Sequence, residues 1–399
     1  MSLDPALRHK GLMQRWWTQL QTHFEQQRSG PQAYVWARSR WWARWLVRRR
    51  TLRLFGWMGG FVHSQVLLAC VQLRLFERLP ERDGQTLETL AGSLAVPAAR
   101  LQPLLASACA MELLALDPQG RYALGPLGRV VRSHPGIAQM VEHNQLLYRD
   151  MVEPVAFLRQ SDAGLLAAYW PYAQDAGAGP ALVEGARAQL QRYSVLMDAT
   201  QGFVITEVLD HYRFADHHTV LDLGCGQGRF LSAVAQAHPH LQLQLFDLPA
   251  VLELTRQRLA EAGLSARAQW HPGSFLDDAL PSGADLVTLI RVAHDHSDAA
   301  LRVLFAKVRA LLPVGGRLLL AEPMQLPDAQ AAIVDPYFHF YLQAMGLGRL
   351  RSPQQLMQLL RDSGFDTVEC VKTAMPVHAQ LLVAQKTSVN PSIINKKSI

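Results

Sequence analysis

Two groups of residues in this chain have the types and spacing that could do chemistry. The first is TVLDLGCGQGRF, Thr219 to Phe230, where Asp222 precedes Gly224, Gly226 and Gly228. An apolar run holding Val220 and Leu221 leads into the glycines and then into a helical pattern of Phe230, Leu231, Ala233 and Val234. This predicts strand, tight turn and helix. Glycines suit a backbone that turns sharply and lets a ligand come close. A second apolar run, Leu241 to Phe246, ends in Asp247, nineteen residues past Gly228, where a carboxylate can accept from both hydroxyls of a ribose. The plainer alternative is a strand-to-helix connection with Asp222 capping its own turn. The second group is RVAHDHSDAA, which sets His294 and His296 just after another predicted strand. Imidazole titrates near neutrality and can take a proton from a reacting hydroxyl; the alternative is a polar loop residue.

The glycine spacing is Gly-x-Gly-x-Gly, not the Gly-x-Gly-x-x-Gly of nicotinamide folds, and an acid stands on the strand before the turn. With those features the chain resembles class I S-adenosylmethionine (SAM)-dependent methyltransferases. The resemblance implies that Asp222 helps hold the aminocarboxypropyl end of the cofactor, that Asp247 and Leu248 hold its nucleoside, and that Gly224, Gly226 and Gly228 shape the turn around it. The stretch LIRVAHDHSD is similar to the His-Asp-Trp-Ser-Asp segment of plant-type O-methyltransferases, of the acetylserotonin and caffeate kind. That similarity implies His294 as the base, with His296 at the Trp position, and Glu322 in LLLAEPM as the carboxylate that orients it. Ser274 and Phe275 in PGSF stand at the family's Gly-Asp-Met-Phe, and Arg291 at its Lys; all three are expected to reach the cofactor. The family's second Glu falls near Leu350 in GRLRSP, so this chain lacks it. No metal is expected.

The elements that must position these residues alternate. After the glycine turn, strands are expected at Ala268 to His271, Asp285 to Arg291, Arg317 to Ala321, Thr367 to Lys372 and Gln380 to Gln385, with helices between them. The fold class expected is α/β, a Rossmann-like seven-stranded doubly wound sheet whose ligands sit at the carboxyl ends of the strands. Ahead of it, residues 139–217 are helical in pattern and rich in aromatic and sulfur side chains. Most of these read as ordinary core; Met197, Phe203 and, further on, Met345 are candidates to line an acceptor pocket.

Earlier still, Leu87, Leu90, Ala91 and Leu94 keep a helical period behind Thr86, and Leu101, Leu104, Leu105 and Ala108 keep another behind Pro97. Leu113 to Leu116 and Arg121 to Leu124 then flank the turn Asp117-Pro118-Gln119-Gly120. This is a winged-helix pattern. Its second helix carries only Arg100 as a charge and is interrupted by Pro103, leaving little to contact phosphates or base edges, so nucleic acid is not the expected partner. The O-methyltransferases that the chain resembles use such a unit to dimerise, which implies a homodimer.

Composition bounds the rest. The chain has 399 residues and is 49% hydrophobic, enough for two or three domains with substantial cores. Cys70, Cys109, Cys225 and Cys370 lie far apart without a Cys-x-x-Cys pair and read as reduced thiols in a cytosolic protein. MSLDPALRHK lacks an apolar signal region, and no run reaches the roughly 18 apolar residues of a spanning helix. Residues 1–76 carry twelve Lys and Arg against Asp4 and Glu25, a net +10 within a chain total of +6, together with seven of the nine tryptophans. From Tyr34 to Arg50, a helical wheel gathers Trp41, Trp42, Trp45 and Leu46 opposite Arg40, Arg44 and Arg48. That is the pattern of a helix lying in a membrane interface. Nucleic-acid binding, in which Arg meets phosphate, and a Trp face packed on the protein itself are the alternatives.

The organisation expected is a basic Trp-rich arm (1–54), a winged-helix dimerisation domain (55–138), a helical substrate-covering layer (139–217), a SAM-binding catalytic domain (218–386) and a loose tail (387–399). From Gly60 to about Lys386, and most closely in GFVHSQVLLACVQLRLFERL, YSVLMDATQGFV and VAHDHSD, the chain resembles the bacterial carotenoid enzymes called hydroxyneurosporene or demethylspheroidene O-methyltransferases. The resemblance implies methylation of the tertiary 1-hydroxyl of an acyclic carotenoid by a homodimer at the cytoplasmic face of an anionic membrane. The alternatives are a bacteriochlorophyllide C-methyltransferase of the same superfamily and a winged-helix regulator that keeps the cofactor fold as a sensor. Intact Asp222, Asp247 and His294 argue against the regulator.

Overall fold

The computed structural model describes residues 35, 39, 41–159, 164–169, 184–346 and 348–387, and for some helix residues, including 42, 46 and 184–195, the backbone alone. Most of the arm expected over 1–54, the aromatic positions Trp170, Tyr172 and the Tyr193 side chain, and the tail beyond residue 387 lie outside what it describes. The chain divides into two compact units, Met1–Val130 and Val131–Ile399.

In the first unit, helices Trp41–Met58 and Gly60–Gln72 lead to a helix-turn-helix of Leu87–Leu94 and Ala98–Ala110. Thr86 caps the first of that pair, its hydroxyl accepting from Thr89 N at 3.3 Å. Strands β1 (Leu114–Leu116) and β2 (Tyr122–Leu124) pair antiparallel, Leu114 opposite Leu124. Their turn is tied by Asp117 Oδ1, which accepts from Gln119 N at 2.9 Å and Arg121 N at 2.8 Å. The winged-helix pattern is therefore realised. One detail differs from expectation: Pro103 does not interrupt the second helix, which runs through it from Ala98 to Ala110. Leu101, Leu105 and Ala108 on that helix are fully buried, and burying two leucines, at about 1.5–3 kcal/mol each, offsets the roughly 3 kcal/mol that an interior proline costs.

The Trp41–Met58 helix departs from a clean two-faced wheel. Trp41 and Trp45 are 83% and 64% exposed, and Arg49 and Arg53 lie over the rings of Trp45 and Trp57, each guanidinium carbon 5.5 Å from the ring centre. Arginine and tryptophan thus share one surface here. No single described helix is long and apolar enough to cross a membrane; Val47–Met58 and Gly60–Gln72, bent by 53°, reach that length and composition only together.

The second unit is built on a seven-stranded sheet in the order β5-β4-β3-β6-β7-β9-β8. The strands are β3 (Thr219–Leu223), β4 (Gln242–Asp247), β5 (Ala268–Pro272), β6 (Leu286–Ile290), β7 (Arg317–Glu322), β8 (Thr367–Val371) and β9 (Gln380–Gln385). All neighbours are parallel except β9, which runs antiparallel between β7 and β8. The strands are apolar on both faces because helices cover both: Val220, Leu243, Leu245 and Leu286 face one core with Val208, Phe230 and Leu231, while Leu221, Leu223, Val287 and Leu289 face the other with Leu301, Leu304 and Phe305. The strand order reverses between β3 and β6. A crevice opens at the carboxyl ends of such a pair, and Asp222, Asp247 and the His294 loop all stand at that end.

Candidate active site

Asp222, near the end of β3, is 2% exposed, and its Oδ1 accepts from Thr288 Oγ1 on β6 at 2.6 Å. The register that sets Asp222 opposite Thr288 makes this bond. Burial pushes the Asp222 carboxyl up to about 7; the Thr288 bond works against that rise and the nearby Asp247 charge adds to it. Asp247 closes β4, with Oδ2 accepting from Gly226 N at 2.8 Å and Oδ1 from Leu248 N at 2.7 Å. Burial pushes it up to about 6 against those two bonds.

Two of the glycines earn different explanations. Gly228 (φ +72°) packs so closely that a Cβ would lie 2.7 Å from both Leu259 and Thr255, whereas a Cβ on Gly226 (φ +53°) would meet nothing within 4 Å. The first is needed for helix packing, and the second turns a bare backbone to open space beside Asp247. Neither Asp222 nor Asp247 has a cationic partner among the described residues, and each carboxylate keeps lone pairs beyond the bonds it accepts. The donor set fits a ligand bearing an ammonium and a ribose diol, the two groups that SAM presents. Asp222 would take the first, and Asp247, with the Gly226 turn, the second. Gly273 N donates to Asp247 O at 3.0 Å, which ties PGSF to the same strand end, although the Ser274 hydroxyl is turned to Asp277 at 2.8 Å. Phe275 meets the His296 ring edge-on at 5.3 Å.

The histidine loop leaves β6 through Arg291, whose φ of +58° is left-handed, a conformation that costs a non-glycine residue energy and clusters at working sites. The strain turns three successive amides toward one carboxylate. Glu322, at the end of β7 and 0% exposed, accepts from Val292 N at 2.9 Å, Ala293 N at 2.7 Å and His294 N at 3.4 Å, and from His294 Nδ1 at 2.6 Å. With Glu322 on Nδ1, that nitrogen carries the proton and Nε2 keeps the lone pair. Asp295 Oδ1 lies 3.2 Å from Nε2 as an ion-pair contact, without a hydrogen bond to it. Burial would lower the His294 pKa, but the carboxylates of Asp295 and Glu322 more than reverse this and hold it above the ordinary value. His296 is different: burial, then the His294 charge, take it down to about 4, so it is neutral at pH 7.

Met197 and Met345 come together in an apolar cluster with Leu147, Leu166, Tyr341 and Leu350, flanked by Phe157, Tyr337 and Phe338. Tyr337 and Tyr341 stack at 5.5 Å, and their hydroxyls are occupied, Tyr337 donating to Asn144 at 3.0 Å and Tyr341 meeting His143 Nε2 at 3.1 Å. The Arg291 guanidinium reaches this cluster, 2.8 Å from Thr200 Oγ1 and 3.3 Å from Met197 Sδ. Phe203 is placed apart from the two methionines, stacked between His134 at 5.0 Å and His378 at 4.6 Å. Sequence reasoning missed Thr288 and Asp295. A lone threonine inside the apolar run LVTLI was the available signal for the first; the second stood unassigned beside His294.

Comparison with known proteins identifies the family. The sequence model of the O-methyltransferase domain matches residues 148–366, and that of the O-methyltransferase dimerisation domain matches residues 55–133. The chain is 40% identical over 344 residues to demethylspheroidene O-methyltransferase of Cereibacter sphaeroides, covering 86% of this chain and 89% of that protein. It is 38% identical over 341 residues to the enzyme of the same name from Rhodobacter capsulatus, covering 86% and 84%. Bovine acetylserotonin O-methyltransferase is 27% identical over 330 residues, 79% of this chain and 92% of that one. Among solved structures, human N-acetylserotonin methyltransferase in complex with SAM shares the fold at a TM-score of 0.68 with 21% identity, covering 85% of this chain and 98% of that one. By its sequence the chain belongs to the O-methyltransferase family and, with this sheet order, is an O-methyltransferase on the fold of the SAM-dependent enzymes.

Proposed function

We propose that this enzyme methylates the tertiary 1-hydroxyl of an acyclic hydroxycarotenoid. The observation that carries the chemistry is the His294–Glu322 pair, and the acceptor class is supported by the two demethylspheroidene relatives at 40% and 38% identity. SAM, when bound, supplies a methyl group made electrophilic by its sulfonium. Asp222, Asp247 and the Gly226 turn hold and orient it, and His294 Nε2 takes the hydroxyl proton as the oxygen attacks. A tertiary alcohol is too weakly acidic to ionise beforehand, so proton removal accompanies attack. Glu322, accepting from Nδ1–H, then stabilises the imidazolium, and burial keeps water from competing.

The dimerisation-domain match supports a homodimer. A peripheral site at the cytoplasmic face of an anionic membrane is supported by the first 76 residues, which carry a net +10, and by the exposed Trp41 and Trp45 beside Arg44, Arg48 and Arg49. The deciding experiment offers the purified protein labelled SAM with 1-hydroxycarotenoids, bacteriochlorophyllides and phenols in parallel, and identifies the product. Methyl ether formed on the carotenoid alone is the expected result; methyl transfer to bacteriochlorophyllide carbon, or to phenols only, overturns the assignment.

A further inference from the structure

The His294 loop is gripped from two sides. Glu322 takes its amides, and a second segment, Gly348 to Arg351, takes its carbonyls. Arg349 N donates to His294 O at 3.0 Å, and Arg351 Nη1 and Nη2 donate to Ala293 O at 3.1 Å and His296 O at 2.6 Å. The two chains run so close that a Cβ on Gly348 would lie 2.4 Å from His294 O. Arg351 is 1% exposed, the largest fully buried side chain described, and a guanidinium so placed is tolerated only when its donors are met. They are met by the loop carbonyls and by Asp298, whose Oδ1 is 2.8 Å from Nε. Asp298 also pairs with Arg349. Along this stretch the side chains alternate: Arg349 and Arg351 turn to the loop, and Leu350 between them is buried in the cluster with Met197 and Met345. By the resemblance to plant-type O-methyltransferases, the second Glu that this chain lacks would fall near Leu350.

We propose that Arg351 is a positioning residue for His294, its forked guanidinium fixing from the carbonyl side the loop that Glu322 fixes from the amide side, in a chain that has an apolar residue in place of a second orienting carboxylate. A fork spanning two carbonyls three residues apart holds the intervening turn at a set distance from the Gly348–Arg351 segment. Lysine, a point donor on a flexible stem, cannot span both. The groups facing His294 are Glu322 from β7, Asp295, Arg291 and His296 from its own loop, and Arg349 and Arg351 from the segment above.

The inference rests on His294 being the base, so its test reads the imidazole directly and needs no acceptor. Histidine labelled with ¹⁵N is titrated in the full-length enzyme, the His294 signal being assigned by its loss in His294→Asn. If Arg351 positions the loop, Arg351→Ala lets the imidazole leave Glu322, so the pKa of His294 falls toward the ordinary value and the Nδ1–H tautomer loses its dominance. Guanidinium ion added at millimolar levels restores both. A role as mere positive charge predicts the opposite sign, since removing a cation raises a neighbouring imidazole's pKa. Arg351→Lys keeps the charge and should fall in the same direction by less, which covers the case in which the alanine variant does not fold. Where turnover is measurable, it should drop by roughly 10²-fold with SAM affinity kept, the size expected for misplacement of about 1 Å. A His294 titration that is unchanged or shifted upward in the folded variants overturns the proposal, whereas full activity in His294→Asn would overturn the base assignment instead.

Discussion

Glu322→Gln keeps the shape of the group that organises the loop and removes its charge. The amide oxygen can take the place of Oε1, still accepting from Val292 N and Ala293 N at about their present 2.9 and 2.7 Å. The amide nitrogen then stands where Oε2 is, 2.6 Å from His294 Nδ1 and 3.4 Å from His294 N. Two donor-to-donor contacts would cost about 1–3 kcal/mol each. The ring relieves the shorter one by giving up its Nδ1 proton and carrying it on Nε2, the atom that must be free to accept the substrate's proton. Turnover should therefore fall by roughly 10²–10⁴ while SAM affinity by calorimetry stays within a factor of about three. The pH profile sharpens the test. In the native enzyme the His294 pKa is raised because the Asp295 and Glu322 charges overcome burial, so with His294 as the base the acid limb of activity should lie above the ordinary histidine value. Without the Glu322 charge, the acid limb of the residual activity should move to lower pH. Turnover within about threefold of native, or an acid limb that stays in place, would show that Glu322 neither orients nor tunes the base.

Three further outcomes are expected. SAM binding should weaken with acidification, because it needs Asp222 and Asp247 ionised and burial has raised them to about 7 and about 6; affinity should fall up to about tenfold per pH unit between pH 7 and 6 and up to about a hundredfold per unit below pH 6, where both acids take a proton, and Asp247→Ala should lose at least about tenfold at pH 8, whereas a flat pH profile would remove both acids from the site. His294→Ala should lower turnover by roughly 10²–10⁴ with SAM affinity kept, and His296→Ala by much less, since a pKa taken down to about 4 makes His296 a weak proton acceptor and its ring packs edge-on against Phe275; the reverse ranking would identify His296 as the base. Replacing Arg44, Arg48, Arg49 and Arg50 by Gln should release the protein from anionic vesicles, at about 1 kcal/mol per arginine, and salt should mimic the change, while activity on detergent-dispersed carotenoid survives; vesicle binding indifferent to both would leave charge without a part in it.

Much of the site is legible because it is built from local signals. Asp222 and Asp247 close apolar runs, a glycine turn follows the first, and the pattern that makes these strands also makes their ends a ligand crevice. The bonds that tune those acids are less legible. Thr288 meets Asp222 through strand register, and register between β3 and β6 is set by a crossover of more than sixty residues. Arg351 gives no sequence signal, since an arginine in GRLRSP reads as solvated until the loop it clamps is folded against it. Pro103 shows the converse error, in which a strong local breaker yields to tertiary burial of Leu101 and Leu105. On the Trp41–Met58 helix, Arg49 and Arg53 stand four residues from Trp45 and Trp57 and so share their side of the helix, which a wheel drawn around Arg40, Arg44 and Arg48 leaves out.

The antiparallel insertion of β9 also sets an order of assembly. Glu322 ends β7, and the residue beside it across the outer edge of that strand is Gln380, at the start of β9. Gln380 Nε2 donates to Met324 O at 3.0 Å and Gln325 O at 3.2 Å, fastening the chain just past Glu322. As the ribosome releases the polypeptide, β7 emerges long before its neighbour, because the Pro353–Asp362 helix and β8 are made in between. Until β9 slides in, β7 is an unpaired sheet edge, the kind of surface that recruits wrong strands or a chaperone. The buried Glu322 carboxylate is thus bordered on its outer side by a strand that the ribosome releases only after more than fifty further residues, the stretch between β7 and β9.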